Sequence, residues 1–508
     1  MRRALIVGAG HNGLICAFYL QRAGFDVTVL ERASRPGGAC RALHQACGCR
    51  LYPGASHFGM LHPEIANDLG QAGINLATAR PDVQMVLCGG PGESIVMSDS
   101  VDETAISIAR YSSNDADQYR LFTSEMKAAA EVLAVHRADP QFTLHKFAKA
   151  LEKLGPNFAS NFALGSLAST LSFYFEHPLV QGALASSMIL FNGSPNEVGT
   201  AFALPYYYQM QVAGKPGWEM LVGGMEHLTN EIASFLSDNG CTIVTSAEVS
   251  SMEMENGVVT GVTTSDGKFY GADLIAAACD PLVTSNLLRA GGHTSGAWRD
   301  LRSLWARESF KGMCGKAMFL LDRVPDLRNS EIQAYVDASR TMISNLTSLQ
   351  MMENAHQDAQ LNGFSDIPYV EVLFPSIIDS TQACEDHVTM SVYFMYCVHR
   401  DEGQSSVHTE VERAVLGQLD ALFLKFPDRI QFQDIWTSNH LSNEFGMSLG
   451  NVDHGSLTLD YSLGERGLPG YVPPTTDIKN LFLSSSGAMP GGLVSGVPGY
   501  IAAKAMVS

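Results

Sequence analysis

Ala4-Leu5-Ile6-Val7-Gly8-Ala9-Gly10-His11-Asn12-Gly13-Leu14 stands almost at the start of the chain and decides how the rest is read. Residues 4–7 form a short apolar run, as a parallel strand buried on both faces requires. Leu14, Ala17, Phe18 and Leu20 then recur at helical spacing, Gly24 stops that helix, and Phe25 to Leu30 reads as the next strand. Gly8-x-Gly10-x-x-Gly13 lies between strand and helix. The first glycine makes the tight turn, the second lets the backbone approach a pyrophosphate, and the third lets helix and strand pack closely. The helix then presents free N–H groups and its positive dipole end to that pyrophosphate. Glu31 closes the second strand, where a carboxylate accepts hydrogen bonds from a ribose and disfavours a 2′-phosphate.

A second glycine pair follows in Glu31-Arg32-Ala33-Ser34-Arg35-Pro36-Gly37-Gly38. It suits a second backbone approach to a cofactor longer than NAD, which points to FAD. Arg32 adjoins the acid, and Arg35 and Arg41 flank the glycine pair within reach of a diphosphate.

Residues 115–240 read as mainly helical, and 161–210 is rich in apolar and aromatic residues, including Phe191 and Tyr206-Tyr207-Tyr208. Strands are expected at 241–244, 258–263 and 274–278, with turns at Asn256-Gly257 and Asp266-Gly267. Further strands are expected at 315–322, 368–374 and 387–397, and a closing helix at 501–506. No second G-x-G-x-x-G occurs in residues 100–480.

Four segments resemble the FAD-dependent phytoene desaturase-like oxidoreductases, which share a fold with amine oxidases and glutathione-reductase type flavoproteins. They are Gly8 through Gly38; Gly223-Gly224-Met225 before a helix; Ala247-Glu248-Val249 with its hairpin and Cys279-Asp280-Pro281; and Leu481 through Gly496. The resemblance implies an α/β fold, with a Rossmann-type FAD-binding domain and a discontinuous α+β substrate domain. It implies that Val249 holds the adenine through its backbone, and that Gly487, Gly491, Gly492, Leu493 and Val494 meet the flavin. The chain departs from the family pattern at Ser485 and at Met489, where relatives carry glycine and histidine; Met489 is a candidate substrate-facing residue. The expected division is 1–110, 215–290 and 440–508 for the FAD domain, and 111–214 and 291–439 for the substrate domain.

The chain has 508 residues, 46% of them hydrophobic, and 33 Lys+Arg against 52 Asp+Glu give −19. That charge opposes a phosphate backbone and excludes nucleic acid as the expected partner. No signal peptide and no transmembrane run is expected, so the expected location is the cytoplasm. The ten cysteines show neither a C-x4-C redox pair near Gly38 nor a C-x2-C pair, so partly buried free thiols and no metal site are expected.

Flavin dehydrogenation needs few acid–base groups, because the protein mainly orients substrate and excludes water. His57 and His454 are the candidates for moving a proton, and each residue type also serves as a hydrogen-bonded structural histidine. Tyr206, Tyr207 and Tyr208 either line a substrate cavity or are ordinary aromatics on an extended segment. The 161–210 stretch fits a tunnel for a lipophilic substrate, or peripheral contact with a membrane; its lack of Lys and Arg favours the tunnel. The expected function is redox chemistry on carbon–carbon bonds of an apolar, polyene or isoprenoid-like molecule, by desaturation or by reduction with cyclisation. Oxygen, a quinone or NAD(P)H remains open as electron partner. The rivals are a flavin amine oxidase and a non-catalytic flavin-binding interaction protein.

Overall fold

The fold follows from the two faces of the first strand. In the computed structural model, which describes every residue except 82, 91, 156–157, 160–161, 163–164, 187–192, 213–216, 334–340, 385, 401–403 and 458, β1 spans Arg3–Val7. Ala4 and Ile6 pack on one side with Leu14, Ala17 and Phe18; Leu5 and Val7 pack on the other with Trp298, Leu301 and Trp305. A strand buried on both faces needs helices on both faces, and a parallel sheet supplies them. α1 (His11–Arg22) and β2 (Asp26–Leu30) complete the opening unit.

Five strands form the parallel sheet in the order Leu481–Leu483, Leu274–Ala277, β1, β2, Thr242–Val244. Chain order reverses at β1, so the carboxyl end of β1 is the switch point where such sheets bind ligands. An antiparallel meander, Val249–Glu255, Val258–Thr264 and Phe269–Gly271, leads into the strand Leu274–Ala277. Its first hairpin turns at Asn256 and Gly257, both at positive φ, as that dipeptide predicts. The closing helix is longer than expected, Val497–Val507, and packs on α1.

The second sheet has seven strands in the order 430–436, 314–321, 388–397, 364–373, 342–344, 85–88, 94–97. Three of these match expected strands. The strands at 85–88 and 94–97 lie within the 1–110 segment assigned from sequence to the FAD domain, yet they pair into this sheet. Likewise the helix Gly296–Trp305 packs behind the parallel sheet, although the sequence division places 291–439 in the other domain. Long-range pairing, not local pattern, sets both positions.

Two further expectations are corrected. Tyr206, Tyr207 and Tyr208 stand on a helix, Ala203–Val212, not on an extended segment, while Phe191 lies outside the described residues. Cys49 is not a free thiol: it is joined to Cys384 in a disulfide, 335 residues apart, a distance at which no spacing in the sequence announces a pair. Cys40 and Cys47 are free, as expected. Among the described residues, no helix is long and apolar enough to cross a membrane.

Candidate functional site

The glycine turn sits at the switch point. Gly8 takes φ +107, and its N–H donates to the Leu30 carbonyl at 2.8 Å. Gly10 is the N-cap of α1, and a Cβ there would meet nothing within 4 Å. At Gly13 a Cβ would overlap the Gly8 carbonyl and lie 2.9 Å from Cβ of Ala278. Glu31 braces the turn: its carboxylate accepts from the N–H groups of Ala9 at 2.8 Å and Ala33 at 2.9 Å. Gly37 is tied to the same turn, its N–H donating to the Ala9 carbonyl at 2.9 Å, which carries Gly38 beneath Gly10.

A cavity of about 510 Å³ starts at this turn. Gly8, Gly10, Gly13, Glu31, Arg32, Gly38 and Arg41 line one part of it, and Val249 with Ala247 lines another. Arg32 and Arg41 both donate to the Glu444 carbonyl, at 2.9 and 3.2 Å, and Arg41 lies over the Phe445 ring. Leu493 and Val494, both at positive φ, line it together with Ser486, His57 and His454. Gly37, Gly487, Gly491, Gly492 and Met489 are not in the lining; Gly492 lies against the Asp453 carboxyl, and Met489 is fully buried in the core behind the turn. Tyr206, Tyr207 and Tyr208 are likewise packed behind the wall.

The tyrosine that does reach the cavity is Tyr393, and strand register explains its company. Lys316 stands opposite Tyr393, and Tyr393 opposite Glu371, on three adjacent strands. Side chains in register on neighbouring strands share a face, so the three project together. All three line the cavity. The Lys316 ammonium donates to Ser56 Oγ at 2.7 Å, and Ser56 Oγ lies 3.3 Å from His57 Nδ1. Sequence reading missed Lys316, Glu371, Tyr393 and Asp453. The available signal was a single charge inside each apolar run, Gly315-Lys316-Ala317-Met318-Phe319 and Tyr369-Val370-Glu371-Val372-Leu373.

Burial pushes these groups toward their uncharged forms. Lys316 falls to about 8, and Glu371 rises to about 7 against the opposing pull of Lys316. Asp453 rises to about 7 by burial, which Arg466 only partly offsets. His57 falls to about 3, by burial and then by the Lys316 charge, and His11 to about 4, by burial and then by His454. His454 is lowered too, mainly by burial. The buried atoms His11 Nε2, Asn12 Oδ1, His57 Nε2, Asp453 Oδ2 and His454 Nδ1 have no hydrogen-bond partner among the described residues, and all five residues line the cavity. Orphaned polar atoms of this kind fit a polar ligand that completes their hydrogen bonds.

A stability prediction follows from Asp453. Its carboxyl holds a proton in the folded chain up to pH about 7 but loses it near 4 when unfolded. Folding therefore takes up a proton in that window, and stability falls as pH rises, by up to about 1.4 kcal/mol per pH unit for this group. In Asp453→Asn that contribution vanishes, so melting temperature should decline less between pH 5 and pH 7 than in the parent. Parallel melting curves for the two proteins would exclude the effect.

The sequence model described as "flavin containing amine oxidoreductase" matches residues 13–325, more than half of the chain. The chain belongs to this family. As a flavin containing amine oxidoreductase family member, it is an FAD-dependent oxidoreductase with an α/β, Rossmann-type FAD-binding fold. Pyridine nucleotide-disulfide oxidoreductase domain-containing protein 2 of Rattus norvegicus is 25% identical over 543 residues, covering 98% of this chain and 92% of that one. A phytoene desaturase (lycopene-forming) from a Paracoccus strain is 24% identical over 318 residues, 60% of each chain. The crystal structure of an oxidoreductase from Methanosarcina mazei matches with a TM-score of 0.65 at 16% identity, covering 99% of both chains, a likeness of fold.

Proposed function

We propose that the cavity holds FAD with its pyrophosphate at the amino end of α1, and that the protein oxidises or reduces a carbon–carbon bond of an apolar, conjugated small molecule. Gly10 leaves room for the pyrophosphate, Gly8 makes the turn that presents it and Gly13 lets the helix pack close behind, with Glu31 and Arg32 toward the ribose. Gly37-Gly38 and Arg41 flank the diphosphate, and Val249 meets the adenine through its backbone. Leu493 and Val494, backed by Gly487, Gly491 and Gly492, take the flavin side. In this division the substrate part comprises 111–214 and 306–439, with 85–97 added because its two strands join the seven-stranded sheet, and 291–305 stays with the parallel sheet on which its helix packs.

When bound, FAD supplies a two-electron acceptor or donor. The chain's own residues orient the substrate and keep water out. Phe445, Met447, Val452, Leu493 and Val494 give that lining its apolar character. The observation that carries the reading is that burial drives His57, His454, Lys316, Glu371 and Asp453 all toward their uncharged forms. Together with the apolar side chains of the lining, this shift toward neutrality favours an uncharged, apolar substrate. Glu371 and Asp453, both held at about 7, and His454 are the groups able to give or take a proton near neutral pH, while His57, held at about 3, stays a neutral hydrogen-bonding imidazole. The same two carboxyls favour a second reading, amine oxidation, because at neutral pH the ionised form of either would pair with an entering ammonium.

Anaerobic titration of the holoprotein separates these readings. Conjugated isoprenoid alkenes should bleach the flavin and primary amines should not. His454→Ala should slow that bleaching on the order of 100-fold while FAD stays bound. Bleaching by amines alone would assign the site to carbon–nitrogen chemistry. If photoreduced flavin were re-oxidised by none of oxygen, a quinone or NAD(P)+, the non-catalytic reading would stand instead.

A further inference from the structure

Away from the cavity, two backbone turns that are far apart in sequence face one another. Cys47 and Cys49 lie in the turn joining strands Leu43–His44 and Arg50–Leu51, closed by Gln45 N–H to the Cys49 carbonyl at 2.9 Å. Cys384 and His387 flank a second turn, closed by His387 N–H to the Cys384 carbonyl at 3.3 Å, just before the strand Val388–Cys397. One ligand atom from each of Cys47, Cys49, Cys384 and His387 lies within 4.8 Å of all the others. The expectation of no metal site overlooked this group, because neither Cys47-x-Cys49 nor Cys384-x2-His387 is a full ligand set alone.

We propose that, in the reduced chain, these four residues bind one zinc ion. A disulfide between Cys49 and Cys384 uses two sulfurs, and leaves unexplained why a third sulfur and an imidazole converge on the same point. Three thiolates and one imidazole make a closed, tetrahedral structural zinc set. Zinc–sulfur bonds of about 2.3 Å place tetrahedral ligand atoms roughly 3.8 Å apart, so on reduction the Cys49 and Cys384 sulfurs separate, while the other ligand atoms, none more than 4.8 Å from another, need only small shifts. The turns are also held together without the sulfurs: the Arg50 guanidinium donates to the carbonyls of Gly223 at 2.7 Å and Thr381 at 2.8 Å. Cys49 is buried, Cys384 and His387 are half-buried and Cys47 is exposed, which leaves an entry for the metal on the Cys47 side. The bound ion ties the cofactor-side hairpin to the strand that carries Tyr393.

The disulfide and zinc forms exclude each other. A dithiol supplies two electrons and two protons to the Cys49–Cys384 bond and leaves as its own disulfide. Zinc then displaces the protons of three thiols into solvent.

The test uses the full-length holoprotein, reduced by a dithiol without oxygen, freed of the dithiol and titrated with Zn2+ or Co2+. One zinc per chain should survive dialysis, and cobalt should give thiolate-tetrahedral absorption to the red of the flavin bands. Cys47→Ser lies outside the disulfide and should fold; its zinc affinity should fall beyond the roughly 10–100-fold of an outer-shell change. His387→Ala should do the same. Flavin absorbance reports cofactor binding independently, so loss of FAD and loss of zinc are distinguished. The proposal fails if the fully reduced chain binds no zinc, if both variants bind it like the parent, or if zinc binds while the disulfide is intact.

Discussion

Gly10→Val is expected to yield a folded protein that holds no FAD. The two halves of that outcome have separate causes. Folding survives because Gly10 has φ −70, open to any L-residue, and because a Cβ there meets nothing within 4 Å. Cofactor retention does not survive, because the space is empty only on the cavity side, where Gly10 lines the wall beside Gly8 and His11. A branched side chain then occupies the place proposed for the pyrophosphate, and affinity should drop by at least ~100-fold, about 3 kcal/mol. Gly13→Val is the control. Its Cβ would collide with the Gly8 carbonyl and the Ala278 side chain, so it should damage the packing of helix on strand itself. Visible absorbance per chain and thermal melting read the two variants. A yellow Gly10→Val protein with the parent's flavin content would remove the cofactor from this turn, and with it the proposed site.

The contrast between these glycines shows what was legible in the sequence. The opening turn is local: strand, glycines, helix and acid lie within the first 31 residues, so their spacing already specifies their geometry. The same holds for the Asn256-Gly257 hairpin. The inner end of the cavity is not local. Lys316, Tyr393 and Glu371 meet only through the register of three strands drawn from residues 314–397, and no sequence period joins them. Each was nevertheless marked as an ionisable or hydroxyl-bearing residue within a buried strand, which is a costly place to keep one without a use. Tyr206, Tyr207 and Tyr208 show the converse. Their aromatic density is compatible with a cavity wall and with ordinary packing alike, and on a helix in the core they bury against Phe122, Phe202 and their neighbours. The short strands at 85–88 and 94–97 carry too few residues to declare which sheet they join.

Arg466→Met should be the most damaging substitution for stability, by about 3–5 kcal/mol. The Arg466 guanidinium is fully buried and makes no ion pair within 4 Å among the described residues. Its donors are spent on backbone: Nε on the Ser486 carbonyl at 3.0 Å, Nη1 on those of Ser456 and Tyr461, and Nη2 on those of Asp453 and Gly455, with the Tyr461 ring 5.1 Å away. These carbonyls belong to the loop that presents Asp453 and His454 to the cavity, and to the segment that presents Ser486. One side chain therefore holds three lining residues in place. Methionine matches its length and removes a desolvated charge, which favours the variant, but it leaves up to five buried carbonyls without donors at about 1–3 kcal/mol each. The second term wins. Arg466→Lys has three donors on a single atom and should recover only part of the loss. Denaturant midpoints measured on FAD-loaded and FAD-free protein test this. The deficit should appear in both forms, unlike Gly10→Val, which should lower only the stabilisation that added FAD confers. A midpoint unchanged in Arg466→Met would mean that water replaces the guanidinium without cost, and that the loop bearing Asp453 and His454 keeps its shape by other contacts.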